Sequence, residues 1–182
     1  MTTLFIDTHD ELISLALKKE NNLYIKTKMS EYSHSIFTMT MIKELFEENN
    51  IDIKELEQIV VVNGPGSFTG IRIGLTIAKT LAYTLDIKIN TISSLFAYLI
   101  SNNNNEKRMA VIEDNKGFYV SAMDENNNII LKEQYIENNN YDYKQVEHKL
   151  NFEKIIDYCS NLKSENYHHI KANYIKKIEV EK

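Results

Sequence analysis

The segment Gly64-Pro65-Gly66-Ser67-Phe68-Thr69-Gly70-Ile71-Arg72-Ile73-Gly74 holds four of the chain's five glycines and its only proline. Glycine reaches backbone conformations closed to other residues, and proline fixes φ and has no N–H to donate. A turn of this kind leading into a helix that Ser67 or Thr69 can cap presents backbone donors at a helix N-terminus, which is the make-up of an anion cradle. Gly66, Ser67 and Arg72 are therefore candidate nucleotide-contacting residues. Spacing excludes two versions of this chemistry. No Lys-Ser/Thr pair follows the glycines as in a Walker loop, and Gly66-Ser67-Phe68-Thr69 does not satisfy the G-x-S-x-G nucleophile turn.

Other reactive side chains lack companions. His34, in Ser33-His34-Ser35, stands at a helix start without a Cys, Asp or second His at metal-ligand spacing, so capping or packing is the simpler role. Cys159 is the only cysteine, which excludes an intrachain disulfide, and it falls on the apolar face of a helix capped by Asn151. His168-His169 are adjacent, which does not put both on one face of a regular element.

The elements around these residues follow from periodicity. Leu4-Phe5-Ile6, Leu12 to Leu17 and Leu23 to Thr27 read as three strands joined by short turns, an antiparallel meander. Ile59-Val60-Val61-Val62 is β-branched and apolar throughout, as in a strand covered on both faces. A helix from Ser33 to about Asn49 has apolar residues at 36, 37, 39, 41, 42, 45 and 46, wider than one sheet-covering stripe. In the helix after Thr69, Gly70, Gly74, Ala78 and Ala82 recur every four residues. Ile71, Leu75, Ala78, Ala82 and Leu85 form a seam, with Ile73, Ile77 and Leu81 off it. Such a small-residue line lets a second helix approach closely. Ile87 to Ile92 is a strand, and Ser93 to Leu99 opens a third helix. Met109 to Glu113, Phe118 to Met123 and Ile129 to Ile136 are three more strands.

The glycine-rich segment closely resembles the signature of the TsaB (YeaZ) family, subunits of the bacterial machinery that makes threonylcarbamoyladenosine in tRNA. The His34-Ser35 pair, the hairpin around Glu113-Asp114 and Tyr119, and the closing Tyr174-Ile175-Lys176 are similar to family features, with Lys in place of Arg at 176. The resemblance implies an α/β, actin/Hsp70-like (RNase H-like) core of mixed sheet with helices, plus a smaller second α/β domain. It implies a non-catalytic subunit that binds a catalytic paralogue, TsaD, beside a TsaE-type ATPase. The two long helices would pack on those of TsaD as a four-helix bundle, and would self-associate as a homodimer when the partner is absent. That places His34, Phe37, Met41, Thr69, Gly70, Ile71, Arg72, Gly74, Leu75, Ala78 and Ala82 at the interface. Arg72 would form an ion pair across it or contact ATP or ADP held by the partner.

TsaD has a His-x-x-x-His metal pair where this chain has Ser94 and Tyr98, and without two imidazoles that helical site cannot form. Phe96 replaces a glutamate common in TsaB. In nucleotide-binding relatives of the fold, an aspartate at the position of Asp7 holds Mg²⁺. Here Thr8-His9-Asp10-Glu11 follows, without glycine and with two further carboxylates that repel a triphosphate. The chain is thus expected to hold no metal and no cofactor of its own. The alternatives are a stand-alone actin-fold enzyme using ATP and a homodimeric scaffold for other partners.

Composition fits this reading. The 182 residues carry a net charge of −5, with a pI near 5.6. No basic patch of the kind an unaided nucleic-acid binder shows is evident, so tRNA would be met only indirectly. Met1-Thr2-Thr3 runs directly into strand-like residues and no apolar run is long enough for a bilayer, so no membrane contact and a cytoplasmic setting are expected. The polar run Asn102 to Asn105 suggests a boundary. Residues 1–102 would be the first domain, carrying the partner-binding helices. Residues 103–182 would be a shortened second domain, a β-meander plus helix, with a tail returning to the first.

Overall fold

A computed structural model describes residues 1–30, 34–102 and 106–176, without the side chain of His34. The first three strands are β1 (Thr2–Asp7), β2 (Leu12–Lys19) and β3 (Asn22–Met29), followed by α1 (His34–Glu48). After one 3₁₀ turn come β4 (Gln58–Val62), α2 (Phe68–Leu85), β5 (Lys88–Ile92) and α3 (Ser94–Ser101). The remainder is β6 (Arg108–Asp114), β7 (Gly117–Met123), β8 (Ile129–Ile136), the two-residue β9 (Lys144–Gln145) and α4 (Phe152–Ser160).

The first sheet has the order β3-β2-β1-β4-β5. Its meander β1–β2–β3 is antiparallel, and β4 and β5 add in parallel beside β1. This is the mixed sheet of an actin/Hsp70-like α/β core. Apolar residues bury both faces, because β-branched strands without alternation need cover on each side. Leu4, Ile6, Ile59 and Val61 pack under Met41, Ile42, Leu45, Ile71, Leu75, Ala78 and Ala82 from α1 and α2. Phe5, Ala16, Val60 and Val62 pack on the other side against Ala97 of α3 and Ile155, Ile156 and Cys159 of α4.

The second sheet has the order β8-β7-β6-β9. It meets the first through α3, whose Leu95, Tyr98 and Leu99 pack on Ala110 and Met123. The sequence division assigned α4 to the second domain, but its buried residues sit on the first sheet. The apolar face of α4 (Ile155, Ile156, Cys159) matches the open side of β1 and β4, and no strand of the second sheet competes for it. The expected boundary adjoins residues 103–105, which lie outside the described ones.

Arg108 fixes the junction. It is fully buried, and its guanidinium donates to the carbonyls of Leu99 (3.1 Å), Glu106 (3.3 Å) and Asp124 (3.2 Å) and to Asn127 Oδ1 (2.5 Å). A buried cation needs such a set of acceptors to offset its lost hydration. Beyond α4 the chain runs without regular structure along the edge strand β5. Glu165 N–H donates to the Ile89 carbonyl at 2.9 Å, and Asn90 Nδ2 donates to the Lys163 carbonyl at 2.9 Å. The open edge is thereby covered. Farther on, Asn173 N–H donates to the Asn63 carbonyl (2.8 Å) and Lys176 pairs with Asp114 (2.7 Å).

Candidate functional site

The glycine-rich turn between β4 and α2 is packed against the end of β1. Ser67 caps α2, its hydroxyl accepting from Gly70 N–H at 3.2 Å. Its own N–H donates to the His9 carbonyl at 2.6 Å. A Cβ on Gly66 would lie 2.3 Å from that same carbonyl oxygen, and one on Gly70 would lie 2.0 Å from the Thr8 carbonyl oxygen. Gly66, at φ +151°, and Gly70 thus serve the close approach of two backbones. The turn spends its glycines on the chain's own β1–β2 loop, where a phosphate cradle would need open space.

Asp7 is likewise occupied. Its Oδ1 accepts from His9 N–H (3.0 Å) and lies 2.7 Å from His9 Nδ1, while His9 Nε2 lies 3.1 Å from the Tyr98 hydroxyl. The Tyr98 ring stacks on His148, centroids 4.6 Å apart, and His148 Nε2 donates to the Val111 carbonyl at 2.6 Å. Burial disfavours the charged form of His9, but the charge and hydrogen bond of Asp7, with Asp10 behind, outweigh it and raise its pKa above the ordinary value. Burial, reinforced by Asp7 and Asp10, raises the Tyr98 phenol. Asp7, His9 and Tyr98 are exposed by only 2, 4 and 2%. The chain Asp7–His9–Tyr98 has the connectivity of a proton relay but no opening to a substrate. It ties β1, α3 and the second sheet together.

Ser94 and Tyr98, which the resemblance sets against a metal-binding histidine pair, are also engaged in packing. Ser94 Oγ donates to the Pro65 carbonyl at 2.6 Å, and Tyr98 meets His9. Among the described residues no group of three His, Cys, Asp or Glu side chains could hold a metal ion. Cys159 is buried, and burial pushes its thiol up to about 12.

The candidate interface residues divide into two groups. Met41, Gly70, Ile71, Gly74, Leu75, Ala78 and Ala82 are buried in the chain's own core. The small-residue line of α2 faces the end of β1: a Cβ on Gly74 would meet Thr8 Oγ1 at 2.4 Å. This corrects the expectation that the line admits a helix from another chain. A large charged residue at Gly74 or Ala78 would disrupt the fold itself and not merely assembly. Thr69 and Arg72 are exposed, Phe37 is half-buried, and the side chain of His34 lies outside the described residues.

On the opposite side of α2 a different set emerges. Met39 of α1 with Phe68, Arg72, Ile73 and Ile77 of α2 line an open groove of about 470 Å³. Met39 and Phe68 are 46 and 52% exposed, and Ile36 beside them 68%. Contiguous exposed apolar side chains of this kind mark a contact surface. The signal for it lay in Ile73 and Ile77, off the seam, and in Met39. Their significance depended on knowing which face of α2 the sheet covers.

The family model for tRNA N6-adenosine threonylcarbamoyltransferase (TsaD) matches residues 26–176. The tRNA threonylcarbamoyladenosine biosynthesis protein TsaB of Bacillus subtilis is 42% identical over 101 residues, covering 52% of this chain and 42% of that protein. TsaB of Buchnera aphidicola subsp. Baizongia pistaciae is 30% identical over 119 residues, covering 63 and 54%. The chain spans about half the length of these curated relatives. YeaZ from Pseudomonas aeruginosa shares the fold with a TM-score of 0.69 at 22% identity, over 78% of this chain and 71% of that one.

Proposed function

From the premise that this chain belongs to the tRNA N6-adenosine threonylcarbamoyltransferase (TsaD) family, on its TsaB (YeaZ) branch, we propose that it is a non-catalytic subunit of tRNA threonylcarbamoyladenosine biosynthesis. It docks on its catalytic paralogue TsaD through the outer faces of α1 and α2. The observation that carries this reading is the exposed apolar groove lined by Met39, Phe68, Ile73 and Ile77. Two helices side by side with an unfilled groove are completed by two more, as in a four-helix bundle. With no paralogue present, the same face pairs with a second copy.

The rest of the molecule supports a helper role. The corner that would hold phosphates is packed on His9, and the positions of the metal histidines anchor α3. Chemistry, tRNA contact and any bound ATP or ADP then belong to the paralogue and to a TsaE-type ATPase. No helix among the described residues is long and apolar enough to cross a membrane.

The test is size-exclusion chromatography with light scattering, on the chain alone and mixed with TsaD from the same organism. Wild type shifts to a heterodimer. Met39→Glu and Ile73→Glu fold normally and fail to shift. A wild-type chain that ignores the paralogue, or variants that bind as well as wild type, would overturn the reading.

A further inference from the structure

The irregular tail after α4 contributes a residue to the docking face. Tyr174 is held between two fixed points: Asn173 N–H bonded to the Asn63 carbonyl at 2.8 Å, and Lys176 paired with Asp114 at 2.7 Å. From there its hydroxyl accepts from Arg72 Nε at 3.0 Å, and its ring lies 5.8 Å from that of Phe68. The Arg72 guanidinium sits 3.6 Å over the Phe68 ring. All three side chains are exposed, and Phe68 and Arg72 line the groove. Among the described residues the two terminal nitrogens of Arg72 have no hydrogen-bond or ion-pair partner.

We propose that Phe68, Arg72 and Tyr174 form an anchor at one end of the groove that receives a carboxylate from the partner's helix. The inference rests on the docking role of the α1–α2 face. A guanidinium offers two edges for a fork of hydrogen bonds. Tyr174 occupies the edge that includes Nε, which leaves the edge formed by the two terminal nitrogens. The Phe68 ring shields one face from water and holds the group by cation–π attraction, so little side-chain freedom remains to be lost on binding. Apart from Arg72 the groove lining carries no charge, with Met39, Phe68, Ile73 and Ile77 apolar and hydroxyls only at Ser35, Thr69 and Thr76, so a partner helix that fits it carries a mainly apolar stripe with an Asp or Glu at the end that reaches Arg72. A carboxylate placed elsewhere along that stripe would meet no cation among the groove's lining residues and would lose its hydration without a charged partner. The tail thereby sets the direction in which the partner lies.

The experiment is a calorimetric titration of the full chain with TsaD from the same organism, at low and physiological salt. Hydrogen bonds to a charged group set the expected loss at about tenfold or more in affinity for Arg72→Lys, which keeps the charge and loses the planar fork. Tyr174→Phe, which keeps the ring and loses the acceptor, weakens binding about threefold to tenfold by freeing the guanidinium. Arg72→Gln also flattens the salt dependence. Thermal midpoints, measured in parallel, stay at the wild-type value. If the Arg72 and Tyr174 variants bind as wild type while Ile73→Glu does not bind, the anchor is wrong and the docking face stands. If wild type itself fails to bind, both are wrong. If the isolated chain binds ADP or inorganic phosphate and Arg72→Lys abolishes that, the ligand is a phosphate and the carboxylate assignment is overturned.

Discussion

The face of α2 that carries Gly74 decides what a substitution there does, and the sign of the effect can be worked out. Replacing Gly74 by Ala in a helix interior gains about 1 kcal/mol of helix propensity. If the small-residue line faced solvent or an absent partner, the isolated chain would be stabilised by about that amount. In this fold the new Cβ falls 2.4 Å from Thr8 Oγ1. Thr8 is β-branched and buried, and its hydroxyl donates to the Gly70 carbonyl at 2.7 Å. Relieving the clash means shifting α2 from β1, at about 1–3 kcal/mol for overpacking, or turning Thr8 away from Gly70, at about 1 kcal/mol for the hydrogen bond. Set against the propensity gain, the net lies between no change and a destabilisation of about 2 kcal/mol, and in neither case is the chain stabilised. For a chain of this size each kcal/mol lowers the midpoint by about 2–4 °C, so a fall of up to about 8 °C is expected, against a rise of about 2–4 °C if the line faced solvent.

The second half of a double-mutant cycle makes the argument specific. With Thr8→Ala in place the colliding oxygen is gone. The next atoms seen from a Cβ at position 74 are Ile6 Cγ2 and Thr8 Cβ, both at an ordinary 3.7 Å. Gly74→Ala should then stabilise the chain by about 0.5–1 kcal/mol relative to Thr8→Ala alone. The assay is urea unfolding of the four proteins followed by circular dichroism. A stabilised Gly74→Ala single mutant, or a cost that persists unchanged without the Thr8 hydroxyl, would refute the packing of α2 described here.

Two further outcomes follow from buried charged groups. The His9 pKa is raised in the fold, so its contribution to stability is fully present below the ordinary value near 6.5 and is lost as pH rises through the folded value. Unfolding free energy should fall as pH rises above the ordinary histidine value near 6.5, and His9→Gln should remove that part of the slope; the groups facing the ring are Asp7, Asp10 and Tyr98, with His148 behind Tyr98. An equal slope in the variant would show that His9 is not the source. Arg108→Met leaves the buried carbonyl of Leu99 and the part-buried carbonyls of Glu106 and Asp124 without their donor; with a buried unsatisfied group costing about 1–3 kcal/mol and water reaching the other two, the expected loss is about 1–3 kcal/mol, read as a fall of about 2–12 °C in the thermal midpoint.

The antiparallel meander and the doubly covered strand before the glycine-rich turn were legible from sequence because they rest on local signals, whereas the mixed sheet was expected only from the family resemblance. Ile59 to Val62 is apolar without alternation, and the structure covers it on both faces. Ser67 before Gly70 and Asn151 before Lys154 cap helices as their residue types suggest. What was not legible is long-range. Nothing local to His9 says that its ring, held by Asp7 two residues before it, meets Tyr98 from 89 residues away. Nor does the helical period of α4 say which of two sheets it covers.

The seam of α2 shows why a helix that is apolar nearly all round is ambiguous before its sheet is placed. Gly70, Gly74, Ala78 and Ala82 have the spacing of a close helix contact, and close contact is what they make. Their neighbour is Thr8 and the sheet beneath. Since small residues permit approach without saying to what, the surplus of apolar residues was the more informative feature. One sheet buries one stripe of α2, so Phe68 and Ile73, left over on the far side, and the outer part of Ile77, half-buried at the flank of the core, need a second covering surface. The described residues supply only the edge of it, Tyr174 from the tail and Met39 from α1. The groove they leave open is why the outer face, not the glycine seam, is the place to look for a partner.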